Sequence, residues 1–201
     1  AGQRLSVNPS KHLAQPYRQE EETMTFSIVG RCERTGQLGV AISSSSIAVG
    51  ARCPWVRAGV GVVSTQNITL PALGPRVLDL LEQGADPQAA LRQALDDGSW
   101  PQYRQVTVVD AQGRTGVFSG SQALGIFTSA VGRQCVAAGN LLASERTIEA
   151  MVPAFERSAA LPLAERLLAA MRAAMAAGGE AGPVHSAALK VAGEHSWPMA
   201  D

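Results

Sequence analysis

The chain has 201 residues, seventeen Lys and Arg against seventeen Asp and Glu, and 46% hydrophobic residues. That balance fits one compact domain and excludes a disordered chain. A formal net charge of zero argues against general nucleic-acid binding, because a phosphate-binding surface carries a basic excess. No apolar run approaches the ~20 residues of a membrane span, and no basic n-region precedes an apolar h-region as in a signal peptide. Three unpatterned cysteines, Cys32, Cys53 and Cys135, suit a reducing compartment, so the expectation is a soluble cytoplasmic protein without a membrane partner.

Aromatic residues make up only 4% of the chain, whereas it holds 20 Gly and 11 Pro. Ala, Val, Leu and Ile must therefore fill the core, and short strands joined by tight turns are favoured over a pure helix bundle.

Residues 1–23 contain two prolines, three adjacent glutamates and no sustained apolar period. They read as a flexible arm or a misplaced start, ahead of one domain over 24–201. From Met24 the pattern changes. TFSIVGR alternates, with Phe26 and Ile28 on one face and Thr25, Ser27 and Val29 on the other. LGVAIS follows across Thr35-Gly36 as the second arm of a hairpin. Residues 58–66 read as a third strand, rich in glycine.

Gly74-Pro75 opens a helix whose apolar positions are Val77, Leu78 and Leu81, stopped by Gly84. Asp86 is the expected N-cap of a second helix, with Pro87 at its first position and its end at Leu95. Strands return over 105–109 and 115–119 around the turn Asp110-Ala111-Gln112-Gly113, and another is expected over 133–138. A helix capped by Ser144 should run to about Arg157. LPLAERLLAAMRAAMAAGG reads as an amphipathic helix stopped by Gly178-Gly179, and residues 186–192 close the pattern as a strand. Hairpins and helix pairs in this order predict an α+β fold in which two face-to-face antiparallel sheets lie between two helical layers, a four-layer αββα sandwich.

Metal and nucleotide chemistry find no support. His12, His185 and His195 share no ligand spacing with each other or with the cysteines. No Walker loop, dinucleotide fingerprint or G-x-S-x-G elbow occurs. The hydroxyl residues are richer. A Thr hydroxyl is a weak nucleophile unless a base takes its proton, and a free α-amine on the same residue, with a pKa of ~7.7–8.0, suits that task. Thr25 qualifies if it becomes residue one, and the alternation puts it with Ser27 on the face opposite Phe26. Ser43 to Ser46 follow the second strand and bring a hydroxyl towards the start of the first. Thr65, Gln66 and Asn67 end the third strand as a cleft lining or as plain turn chemistry. Gly139-Asn140 marks a strand-to-helix junction that suits either an oxyanion site or an Asx-turn.

MTFSIVGR, GQLGVAISSSSIAVGARCPWVRAGVGVVSTQ, LPALGPRVLDLL, RQVTVVDAQGR, AAGNLLA and HSAALKV together resemble the bacterial family called domain of unknown function 1028, over roughly residues 24–193. That family is assigned to the N-terminal-nucleophile hydrolase superfamily, so the resemblance implies the αββα sandwich and a nucleophile at Thr25. It further implies Ser44 as a positioning group, Thr65 and Gln66 as cleft-lining groups, and Asn140 as an oxyanion donor. Ser45 stands where relatives often carry Lys or His, Leu70 and Leu73 where Asp or Asn and Tyr are common, and AGPVHS where an Arg is frequent. Such a site points to a less polar substrate, or to an inactive one.

The leading expectation is a cofactor-independent hydrolase of a small amide or short peptide, with Thr25 freed by removal of residues 1–24. The alternative is a non-catalytic binding or assembly module on the same scaffold. Homo-oligomerisation is expected for a compact enzyme of this class.

Overall fold

The computed structural model describes residues 24–96, 99–179 and 182–193. The expected arm over 1–23 lies outside the described residues. The fold is α+β, with nine strands, every pairing antiparallel, and five α-helices among those residues.

The first sheet has the order β7-β8-β1-β2-β9, formed by β1 (Thr25–Arg31), β2 (Leu38–Ser44), β7 (Thr128–Gly132), β8 (Cys135–Asn140) and β9 (Ser186–Ala192). The second has the order β3-β4-β5-β6, formed by β3 (Pro54–Arg57), β4 (Gly61–Asn67), β5 (Arg104–Asp110) and β6 (Thr115–Ser119). Period-two alternation sorts the side chains of β1 as the sequence predicts. Phe26 and Ile28 pack with Phe155, Leu163 and Leu167 from the helices α4 (Met151–Arg157) and α5 (Leu163–Ala176). Burying each of these large side chains stabilises the fold by about 1.5–3 kcal/mol. Val29 turns the other way and joins Leu38, Val40, Val62, Val109 and Val136 in a core between the two sheets. The outer face of the second sheet packs Val63, Val106 and Val108 against Leu73, Val77 and Leu91 of α1 (Leu73–Glu82) and α2 (Pro87–Leu95).

Local chemistry explains the boundaries. Asp86 caps α2 by accepting the Gln88 N–H at 3.0 Å, and Pro87 follows it. Gly84, at φ +92°, takes the left-handed conformation that ends the preceding segment.

The structure differs from the sequence reading in four places. The strand expected over 58–66 is β4 alone and starts at Gly61. Residues 58–60 belong to a turn in which Val60 N–H donates to the Arg57 carbonyl and Gly59 adopts φ +69°, and β3 ahead of that turn adds a strand that was not expected. Strand β7 joins the set, and β8 runs two residues past the expected end, through Gly139 and Asn140. The helix expected to run from Ser144 to Arg157 is instead α3 (Arg146–Glu149) followed by α4. Pro153 explains the break, because it has no N–H to give the Glu149 carbonyl and its ring crowds that carbonyl. Ser144 offers no side-chain cap to α3, and only its carbonyl is used, by the Thr147 N–H at 3.2 Å.

Candidate functional site

Thr25 sits at the start of β1, between two strands whose registers bring one residue each to its flanks. Ser44 of β2 is directly opposite on one side and Asn140 of β8 on the other. Ser186 of β9 extends the row beyond Ser44. The row faces the second sheet, because it shares strand parity with Ser27 and Val29. The space between the sheets is therefore graded, from valines and Leu38 near the β1–β2 turn to hydroxyls and amides at the Thr25 end.

A hydrogen-bond chain runs through that polar end. Ser44 Oγ donates to the Met24 carbonyl at 2.7 Å and lies 2.9 Å from Thr25 Oγ1. A hydroxyl has a single hydrogen, so Ser44 receives the Thr25 O–H. It likewise accepts the Ser46 N–H at 3.1 Å, and Ser46 Oγ lies 3.1 Å away. Ser46 Oγ accepts in turn from Arg52 Nη2. With the Thr25 O–H and the Ser46 N–H on its two lone pairs and its own hydrogen on the Met24 carbonyl, Ser44 Oγ is saturated, and Arg52 supports it by holding Ser46. The Ser45 N–H reaches the same carbonyl at 3.1 Å. Ser45 Oγ holds the Met24 N–H at 2.6 Å. Met24, the residue preceding Thr25, is thus gripped at both its N–H and its carbonyl.

A second network ties the row to the opposite sheet. Ser27 Oγ donates to Gln66 Oε1 at 2.7 Å, and Gln66 Nε2 donates to Gln105 Oε1 at 2.8 Å and to the Ala138 carbonyl at 3.1 Å. Gln105 Nε2 donates to the Gly139 carbonyl at 3.1 Å. These carbonyl acceptors fix which way both glutamine amides point. Asn140 Nδ2 then donates to Gln105 Oε1 at 3.2 Å, which leaves Asn140 Oδ1 buried without a partner. Thr107 Oγ1, two residues beyond Gln105 on β5, is a second buried side-chain oxygen without a partner. Both are the kind of polar atom that an entering ligand or water satisfies.

Of the residues expected from sequence, Thr25, Ser44, Asn140, Ser27 and Gln66 come together. Thr65 does not. It shares strand parity with Val63, on the helix-covered face, and its hydroxyl donates to the Leu70 carbonyl at 3.5 Å. Sequence reading missed Gln105, Ser64, Arg52 and the Ser45 N–H. His185 also borders the row, with its N–H on the Ser44 carbonyl at 2.9 Å and Nδ1 at 2.5 Å from the Ser45 carbonyl. Among the described residues no group of three or more His, Cys, Asp or Glu is arranged to hold a metal ion. No described helix is long and apolar enough to cross a membrane.

A description of a family of unknown function, DUF1028, matches residues 25–201. The chain belongs to the DUF1028 family. No curated protein matches it. The crystal structure of the DUF1028 protein SPO2555 from Silicibacter pomeroyi is similar at 32% identity and a TM-score of 0.79. The match covers 85% of this chain and 74% of that one. It therefore spans nearly the whole of the sandwich described here. The family begins its match at Thr25, the residue at the centre of the polar row.

Proposed function

We propose that this DUF1028 chain is a cofactor-independent amide hydrolase of the N-terminal-nucleophile type, with Thr25 Oγ1 as nucleophile once residue 25 is the N-terminus. The αββα layering agrees with that superfamily. The observation that carries the reading is the grip on the Met24 carbonyl by the Ser44 hydroxyl and the Ser45 N–H. This carbonyl is joined to the nitrogen of Thr25 and stands in for the acyl carbonyl of a substrate. Two donors already aimed at its oxygen are what a developing oxyanion requires.

In the proposed reaction, Thr25 Oγ1 attacks the substrate carbonyl carbon and its proton passes to the Thr25 α-amine. Ser44, supported through Ser46 by Arg52, and the Ser45 N–H hold the oxyanion. Asn140, with one amide hydrogen beyond that given to Gln105, approaches from the other flank. Collapse breaks the C–N bond, and the leaving amine takes the proton from the α-ammonium. Water then attacks the Thr25 ester while the amine removes its proton, and the departing Oγ1 takes that proton back. On this reading a small amide or short peptide would bind against Ser27, Gln66 and Thr107.

Release of Thr25 requires loss of the residues before it. N-terminal sequencing and intact mass of the protein from its native host test this step. The expected chain begins at Thr25. A chain that keeps Met24 and earlier residues throughout would leave Thr25 an ordinary strand residue. The site's closure favours a second reading, a binding or assembly module, because Thr25 is only 6% exposed and Ser44 and Asn140 are fully buried. On that reading no acyl adduct forms at Thr25 even in a chain that starts there.

A further inference from the structure

At the far end of β1, about 20 Å from Thr25 by strand length, a cavity of about 420 Å³ opens beside Arg31, Cys32, Arg34 and Arg166. Arg166 is the unusual group in its wall. It is only 7% exposed, and its guanidinium lies over the Phe155 ring at 3.9 Å. Its hydrogen bond to protein is a long one, Nε to the Phe155 carbonyl at 3.4 Å. Among the described residues no carboxylate comes within ion-pair distance of it. A buried cation without a counter-charge is costly, and the cost falls when an anion enters beside it.

The neighbouring arginines repeat the pattern. Arg31 donates from Nη1 to Gln134 at 2.7 Å, while its buried Nε has no partner. Arg34 gives one hydrogen bond to the Ala160 carbonyl at 3.1 Å. Arg133 alone is neutralised, by both oxygens of Glu33 at 2.8 Å. Glu156 also lines the cavity, and its Oε1 accepts the Arg133 N–H at 2.8 Å. Among the described residues, three guanidinium groups thus border one cavity without an ion-pair partner, while the two carboxylates of its wall, Glu33 and Glu156, are both engaged by Arg133.

We propose that this cavity is a binding site for a small organic oxyanion, held by Arg166, Arg31 and Arg34. Guanidinium groups match carboxylate and phosphate oxygens equally in geometry and charge. A bare inorganic ion fills little of the cavity, so the ligand carries an organic body beyond its anionic head. Cys32 supports the electrostatic side of this site. Burial raises its thiol pKa, but the Thr35 hydroxyl, the Thr35 and Arg34 N–H groups and the Arg166 charge outweigh that and hold it below the ordinary value. The site is separate from the Thr25 chemistry and stands whether or not Thr25 is a nucleophile.

Calorimetric titration of the full chain with phenyl phosphate, benzoate and neutral benzamide tests it. One equivalent of phenyl phosphate or benzoate should bind at millimolar or lower concentration, and benzamide should not; which anion binds more tightly separates a phosphate ligand from a carboxylate one. Arg34→Gln, at an exposed position that leaves the buried packing intact, should weaken binding about tenfold, as loss of a charge-assisted hydrogen bond does. Arg166→Lys, which keeps the buried charge and loses the fork, should weaken it as well. Binding should slow alkylation of Cys32 by iodoacetamide in the parent chain and have less effect in Arg34→Gln. Absence of binding by both anions, equal binding of benzamide, or unchanged affinity in Arg34→Gln would each overturn the proposal.

Discussion

Thr25 Oγ1 and Ser44 Oγ lie 2.9 Å apart across β1 and β2, and the same Ser44 hydroxyl donates to the Met24 carbonyl at 2.7 Å. One buried serine therefore connects the proposed nucleophile to the proposed oxyanion position. Ser44→Ala removes that link and leaves the Ser46 N–H and the Thr25 hydroxyl without their partner. Unsatisfied buried groups of this kind cost about 1–3 kcal/mol. Urea unfolding should show that loss, and acylation of Thr25 in a chain beginning there should slow at least about tenfold.

Arg52 acts on the carbonyl through Ser46 and Ser44 rather than by contact. Arg52→Met should slow acylation of Thr25 by a smaller factor than Ser44→Ala, about three- to tenfold. Arg52→Lys should restore part of the rate because a cation returns to Ser46. Equal rates in Arg52→Met and the parent chain would remove Arg52 from the mechanism.

Gln66 is fully enclosed and satisfies Ser27, Gln105 and the Ala138 carbonyl at once. Gln66→Leu is close in size but leaves the Ser27 hydroxyl without its acceptor and takes one donor from Gln105 Oε1, which keeps Asn140, and one from the Ala138 carbonyl. The expected loss is about 2–4 kcal/mol of unfolding free energy, measurable by urea denaturation. Thr65→Val, on the other face of the same strand, should change stability by less than half as much and should leave acylation of Thr25 unaltered.

The contrast between Gln66 and Thr65 shows how far the sequence carries. Alternation alone assigns Val63 and Thr65 to one face and Ser64 and Gln66 to the other, so the misplacement of Thr65 was legible and a strict period-two reading finds it. The same alternation correctly groups Thr25, Ser27 and Val29, and turn chemistry correctly starts α2 at Asp86-Pro87. Other features needed tertiary structure. β3 begins with a proline and spans four residues, too short for a periodic signal. Gly139-Asn140 has the composition of a turn, yet it pairs in register with Phe26 and Thr25. A Cβ at Gly139 would come within 2.7 Å of a Leu142 methyl and 2.9 Å of an Ile148 methyl, so any larger residue there would make both side chains shift. Asn140 is 115 residues from Thr25, and no local pattern sets that register. Gln105 was unrecognisable for the same reason, since its partners come from β4, β8 and β6.

Cys135 gives a pH dependence of stability. Burial, with Glu156 nearby, pushes its thiol up to about 12 from 9.0. The unfolded chain then releases this proton at lower pH than the folded chain, so the thiol's contribution to stability declines from about pH 9 until the folded thiol ionises near 12. Between pH 7 and pH 10 the parent protein should lose about 1 kcal/mol more than Cys135→Ala. Unfolding curves of both at the two pH values measure the difference.

The most direct measurement is peptide mapping after treating a chain that begins at Thr25 with a β-lactone acylating probe. One acyl group on Thr25, absent in Thr25→Ala and formed faster as the α-amine loses its proton around its ordinary pKa of ~7.7–8.0, is the predicted result. A protein that stays unlabelled, or that is labelled equally in Thr25→Ala, would contradict the assignment of Thr25 as the nucleophile.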